Sequence, residues 1–143
     1  MALREKQLRS TPAPETSPIP SRRGDPGRVP RRWSLTLMAA WFVLFPLALA
    51  LEPTPAASAA EPWWGYVVSM ALFASIAATY VGLSRCMRWG IGASFGAASL
   101  FTAVVFACPA TGHHAFGLWW FGEFAAAVGL VALSAVAYLR RSE

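Results

Sequence analysis

Two places in the sequence carry side chains able to do acid–base or ligand chemistry. Glu123 is the one charged residue inside any of the long apolar runs, and Cys108-Pro109-Ala110-Thr111-Gly112-His113-His114 just before it holds both histidines of the chain. A bare carboxylate in hydrocarbon is costly, so Glu123 has to be protonated, partnered or reached by water. Imidazole titrates near neutrality, which makes Glu123, His113 and His114 a candidate site for a proton or a cation, with the histidines at its mouth. The same loop offers a thiolate and two imidazoles, Cys108, His113 and His114, the ligand types of a borderline divalent metal, on a loop that Pro109 and Gly112 can turn. Neighbouring histidines tend to point apart, so the competing role for the pair is to order the loop.

The elements that must position these residues follow from composition. The chain has 143 residues, 56% of them hydrophobic, with 12 Lys+Arg and 7 Asp+Glu. Eleven of these charges fall in residues 1–32, and residues 33–139 keep five: Glu52, Glu61, Arg85, Arg88 and Glu123. That balance excludes a water-soluble enzyme, a nucleic-acid-binding domain and a disulfide-stapled secreted domain. Four apolar segments remain, 33–51, 63–83, 91–108 and 117–139. The shortest, at 18 residues, makes a helix of about 27 Å against a hydrocarbon thickness of about 30 Å. Short connectors at 52–62, 84–90 and 109–116 force neighbouring helices to run antiparallel. An all-α integral membrane four-helix bundle over 33–139 is therefore predicted, with 140–143 as its C-terminal end. Pro46 removes a backbone hydrogen bond from the first helix and should kink it.

Residues 1–32 read as a disordered tail, with Pro12, Pro14, Pro18, Pro20, Pro26 and Pro30 among Ser, Thr and Arg. Eight basic residues against three acidic ones give the tail a net charge of +5, which should draw it to anionic lipid headgroups by about 1 kcal/mol per basic residue near the surface. No aromatic side chains interleave these charges, so nucleic acid is not the expected partner. The other basic residues are Arg85 and Arg88 in the second connector and Arg140 and Arg141 at the C-terminus. The first and third connectors have none. Basic residues flanking spans tend to stay cytoplasmic, which predicts both termini inside. Trp63, Trp64, Trp119 and Trp120 then fall at the outer interface and Trp33 and Trp89 at the inner one. A multi-pass protein of a bacterial plasma membrane fits the Ala- and Gly-rich spans.

Small residues suggest where helices meet. Gly92, Gly96, Ser99 and Ala103 form a stripe on the third helix that lets another backbone approach, either within the bundle or across a homodimer seam. On the fourth helix Glu123, Ala127, Leu130, Ser134 and Tyr138 share the face expected to turn inward. Cys86 and Cys108 lie at opposite ends of a span and cannot form a disulfide with one another. A competing reading takes 33–51 and Ala57-x-Ala59 as a signal peptide, though the run of 19 residues exceeds the usual apolar core of about 7 to 15.

Two functions fit this layout. The favoured one is an accessory, structural or assembly subunit without catalysis, held in a larger membrane complex or a homodimer. The alternative is a minimal proton- or cation-coupled transporter using Glu123 with His113 and His114. Four short helices and one intramembrane glutamate are similar in outline to small multidrug-resistance transporters, although that family's carboxylate lies in the first helix and none of its motifs occurs here. No HExxH, GxSxG or paired-carboxylate pattern points to an enzyme. In a background without Cys86 and Cys108, single cysteines at Ser58 and Ala115 should be labelled from outside the cell, and those at Ser84 and Ser142 only after permeabilisation. Labelling of Ala115→Cys from the cytoplasm alone would refute the orientation.

Overall fold

A computed structural model describes residues 27–53, 63–112 and 114–140 as four helices: α1 (Arg31–Leu51), α2 (Trp63–Ser84), α3 (Arg88–Ala110) and α4 (Leu118–Leu139). With 21 to 23 residues each, they are about 32 to 35 Å long at 1.5 Å per residue. All four are long and apolar enough to cross a membrane. The alternative signal-peptide site at Ala57-x-Ala59 lies outside the described residues, as do residues 1–26 of the basic tail.

The helices close a ring in chain order: α1 packs on α2 and α4, and α3 packs on the same two. One diagonal of the ring is tied by a hydrogen bond, from Trp41 Nε1 on α1 to Ser94 Oγ on α3 at 2.9 Å. Ser94 Oγ lies 2.8 Å from Ser134 Oγ on α4, so three helices share one buried polar trio. Hydrocarbon would leave these groups unsatisfied, which makes their mutual pairing the available solution. Trp41, Ala97, Ala98, Phe101, Val105, Ala127 and Leu130 form the main core, with Phe45 edge-on to Phe73 and Phe101. A second apolar cluster, Val29, Leu37, Leu83, Ile91 and Ala137, fills one end of the bundle.

Pro109 sits in the last turn of α3 and cannot donate to the Val105 carbonyl. That carbonyl instead accepts the Trp120 indole N–H at 3.0 Å, so the missing helical bond becomes a contact between α3 and α4.

The turn between α2 and α3 is built by hydrogen bonds. Cys86 N–H donates to Leu83 O and Met87 N–H to Gly82 O, with Cys86 in the left-handed region at φ 53. This is the αL helix ending that glycine usually occupies. Residues 27–30 fall in the segment expected to be a disordered tail, yet they are part of this turn. Val29 N–H donates to Cys86 O at 2.8 Å, Arg88 N–H donates to Gly27 O at 3.1 Å, and Val29 is buried. The main-chain groups left open at the end of α2 and the start of α3 recruit that strand-like segment.

The close approach of α2 and α3 falls at Gly82 and Gly90, where a Cβ on Gly90 would lie 2.6 Å from the Gly82 carbonyl carbon. The stripe Gly92, Gly96, Ser99 and Ala103 does not pack within the bundle. All four residues are exposed, and a Cβ at Gly92 or Gly96 would meet nothing within 4 Å. Ser94, Ala97, Ala98, Phe101 and Val105 form the buried face of α3, and two residues of offset, about 200° around a helix, turn the small-residue stripe outward. On α4, Glu123, Ala127, Leu130 and Ser134 are buried, while Tyr138 is exposed.

Relieving the αL residue should help the fold and filling the glycine contact should harm it. Cys86→Gly is expected to raise stability by about 1 kcal/mol. Gly90→Ala should lower it by about 1 to 3 kcal/mol. Gly92→Ala and Gly96→Ala should stay within about 0.5 kcal/mol of the parent protein in the monomer. Thermal unfolding in detergent reads all four; a cost at Gly92 equal to that at Gly90 would contradict this packing.

Candidate functional site

The antiparallel ring sorts charge by end. Among the described residues, Arg28, Arg31, Arg32, Arg85, Arg88 and Arg140 lie at one end, and the carboxylates Glu52 and Glu123 at the other. Gly122 helps to bring the two acids together. A Cβ there would lie 2.6 Å from Leu51 Cδ1, so the bare glycine admits the last turn of α1 against the first turns of α4. Glu52 follows Leu51 and Glu123 follows Gly122, so this contact brings the two carboxylates to the same end of the bundle. Cys108, a free thiol near the end of α3, lies at that end too.

His114 covers this end. Its Nε2 lies 2.8 Å from Glu52 Oε1, and the residue is only 5% exposed. Its ring meets Trp119 edge to face at 5.6 Å, and the Trp119 indole donates to Ala115 O at 3.0 Å, holding the loop against the start of α4. Gly112, at φ 72, supplies the reversal after α3 that sends the chain back over the bundle.

Glu123 is 4% exposed and lies five residues past the start of α4, about 7.5 Å into the helix. Among the described residues its carboxyl makes no hydrogen bond. The Thr102 hydroxyl on α3 donates to Ala98 O of its own helix at 2.8 Å. Beside Glu123, Trp120 stacks on Phe124 at 5.1 Å, and Phe106 stands edge-on to both. Inward along α4 come Ala126, Ala127 and Leu130, all buried. Seven residues, about 10 Å of helix, thus separate Glu123 from the level of Leu130, and the Ser94–Ser134 pair lies deeper still.

Of the residues singled out by sequence, Glu123, His114 and Cys108 gather at this end, and His114 engages Glu52 rather than Glu123. His113 lies outside the described residues, and with it the Cys108, His113 and His114 ligand set. Among the described residues no three His, Cys, Asp or Glu side chains are grouped to hold a metal. Glu52 was missed as a site residue because it reads as a connector charge. The available signal was that it is the carboxylate nearest the end of a span on the side of the histidine loop. Comparison of the chain with family models, with curated proteins and with solved structures finds no match.

This end thus brings together one carboxyl without a hydrogen bond among the described residues and a second carboxylate paired with an imidazole. The Glu52–His114 contact should also fasten the third connector to α1. Either Glu52→Gln or His114→Ala should cost about 1 kcal/mol of stability, and the double variant should cost little more than one single change. Additive losses in thermal unfolding would show that the two residues act independently.

Proposed function

We propose that this small multi-pass membrane protein reversibly binds a proton or a small cation at Glu123, entering from the end that carries Glu52 and His114. The observation that carries the reading is Glu123, a buried residue inside an apolar helix whose carboxyl has no hydrogen-bonding partner among the described residues. Such groups in spans commonly mark ion and proton pathways. Glu52 adds negative charge that attracts a cation, and the His114 imidazole pairs with it at the mouth. The buried Ala126, Ala127 and Leu130 beneath the site favour access from that one end. By the bias of basic residues, the arginine end faces the cytoplasm and the Glu52–His114 end faces outward, in a bacterial plasma membrane. The basic N-terminal tail would rest on anionic headgroups of the inner leaflet.

A second reading, an accessory or assembly subunit without catalysis, is favoured by one observation. The Gly92, Gly96, Ser99 and Ala103 stripe is open on the outer surface of α3, where a second copy or a partner helix could seat closely.

Glu123→Gln keeps the side chain's shape and part of its hydrogen bonding. In liposomes it should abolish pH-dependent proton or cation binding and any flux, while leaving fold and assembly intact. His114→Ala should shift the pH dependence without abolishing it. If Glu123→Gln is silent in binding, flux and assembly, the ion-binding reading is wrong; if it disturbs assembly alone, Glu123 is a structural contact and the subunit reading stands.

A further inference from the structure

At the arginine end, away from Glu123, the first two turns of α1 and the last turn of α2 leave a cleft of about 220 Å³. α1 contributes Arg31, Ser34, Leu35 and Met38, a stripe at helical spacing; Leu83 and Cys86 close the other side. Ser34 is 2% exposed, and its hydroxyl is sealed from water without a hydrogen-bond partner. Other serines in these helices solve the same problem internally. Ser75, Ser84 and Ser99 donate to a carbonyl one turn back, and Ser94 and Ser134 bond each other. Ser34 does neither, although it lines the cleft. A buried hydroxyl left in this state calls for a partner from outside the chain.

The surroundings define that partner. Arg31 is exposed and opens α1, and no acid among the described residues lies at this end of the bundle. The N-cap of α1 is Pro30, which provides no side-chain hydrogen bond, so the positive end of the helix is uncapped. A guanidinium, a hydroxyl and an uncapped helix start together suit a phosphate oxyanion. Leu35 and Met38 continue from these groups towards mid-span, and Leu35 is 53% exposed, so an apolar tail could run down the α1–α2 seam. Arg31 begins a membrane-spanning helix, which is the depth of lipid phosphates rather than of bulk solution.

We propose that the α1–α2 cleft binds one anionic phospholipid, with its phosphate against Arg31 and Ser34 and an acyl chain along Leu35 and Met38. The site is independent of ion binding at Glu123, and Glu123→Gln should leave it unchanged.

Native mass spectrometry of the purified protein, equilibrated with phosphatidylcholine carrying a rising fraction of phosphatidylglycerol, tests the proposal. One phosphatidylglycerol should be retained preferentially. Arg31→Gln, at an exposed position that does not endanger folding, should weaken retention, and Arg31→Gln with Ser34→Ala should weaken it roughly tenfold or more. Arg140→Gln, at the same end but outside the cleft, should have no effect. Ser34→Ala alone should raise the Tm in phosphatidylcholine, and phosphatidylglycerol should cancel that gain by satisfying the native hydroxyl. Retention equal to that of the parent protein in both Arg31 variants would overturn the site. Stabilisation by inorganic phosphate equal to that by phosphatidylglycerol would overturn the lipid in favour of a soluble anion.

Discussion

A bilayer interior offers no hydrogen bonds, so each polar group in the four spans must find its partner within the chain or go without. Much of the bundle follows from that constraint. Trp41, Ser94 and Ser134 satisfy one another across three helices, and the Tyr80 hydroxyl of α2 reaches the Met38 carbonyl of α1 at 3.3 Å. The carbonyl freed by Pro109 takes the Trp120 indole. At the arginine end, residues 27–29 complete the turn between α2 and α3 with their own main chain. Each of the side-chain bonds also joins two helices, so satisfying polar groups and fixing the arrangement of the spans are one process.

Three side chains among the described residues stand outside this economy, Trp33 and Ser34 at the arginine end and Glu123 at the other. Glu123 is a buried residue whose carboxyl makes no hydrogen bond among the described residues, and the Trp33 indole N–H and the Ser34 hydroxyl are sealed without one. The sorting of charge gives them different chemistry. Glu123 shares its end with Glu52 and with the histidine that pairs with Glu52, surroundings suited to protons and cations, whereas Ser34 sits beside Arg31 at a helix start without a side-chain cap, suited to an anion. The apolar layers between them keep the two ends chemically separate.

The four spans could be read from the sequence because membrane insertion depends on summed hydropathy over about 20 residues, which needs no knowledge of neighbours. The inward face of α4 was also readable, since Glu123 and Ser134 mark it as the side that avoids lipid. On α3 the glycine stripe faces away from the bundle rather than into it. Small residues allow close approach without requiring it, and in lipid an apolar residue is equally at home on either face. Ser94, the polar residue on α3 that binds Trp41, was the better marker of its buried side. The Glu52–His114 pair was harder to read, since it joins the end of α1 to the third connector and only the packing of α1 against α4 brings the two together. The turn at Cys86 was hidden for a different reason: a non-glycine residue occupies the position where glycine would have announced it.

Exchange of a proton or cation at Glu123 from the Glu52–His114 end is what we propose for this protein. Infrared difference spectroscopy of the protein in liposomes, stepped in pH, observes that exchange at the carboxyl itself. A protonated-carboxyl band that rises and falls reversibly with pH, is displaced by a bound cation if one competes, and is missing in Glu123→Gln is the predicted result. A carboxyl band unchanged by the Glu123→Gln substitution, or no titrating carboxyl across the range in which the protein stays folded, would contradict it.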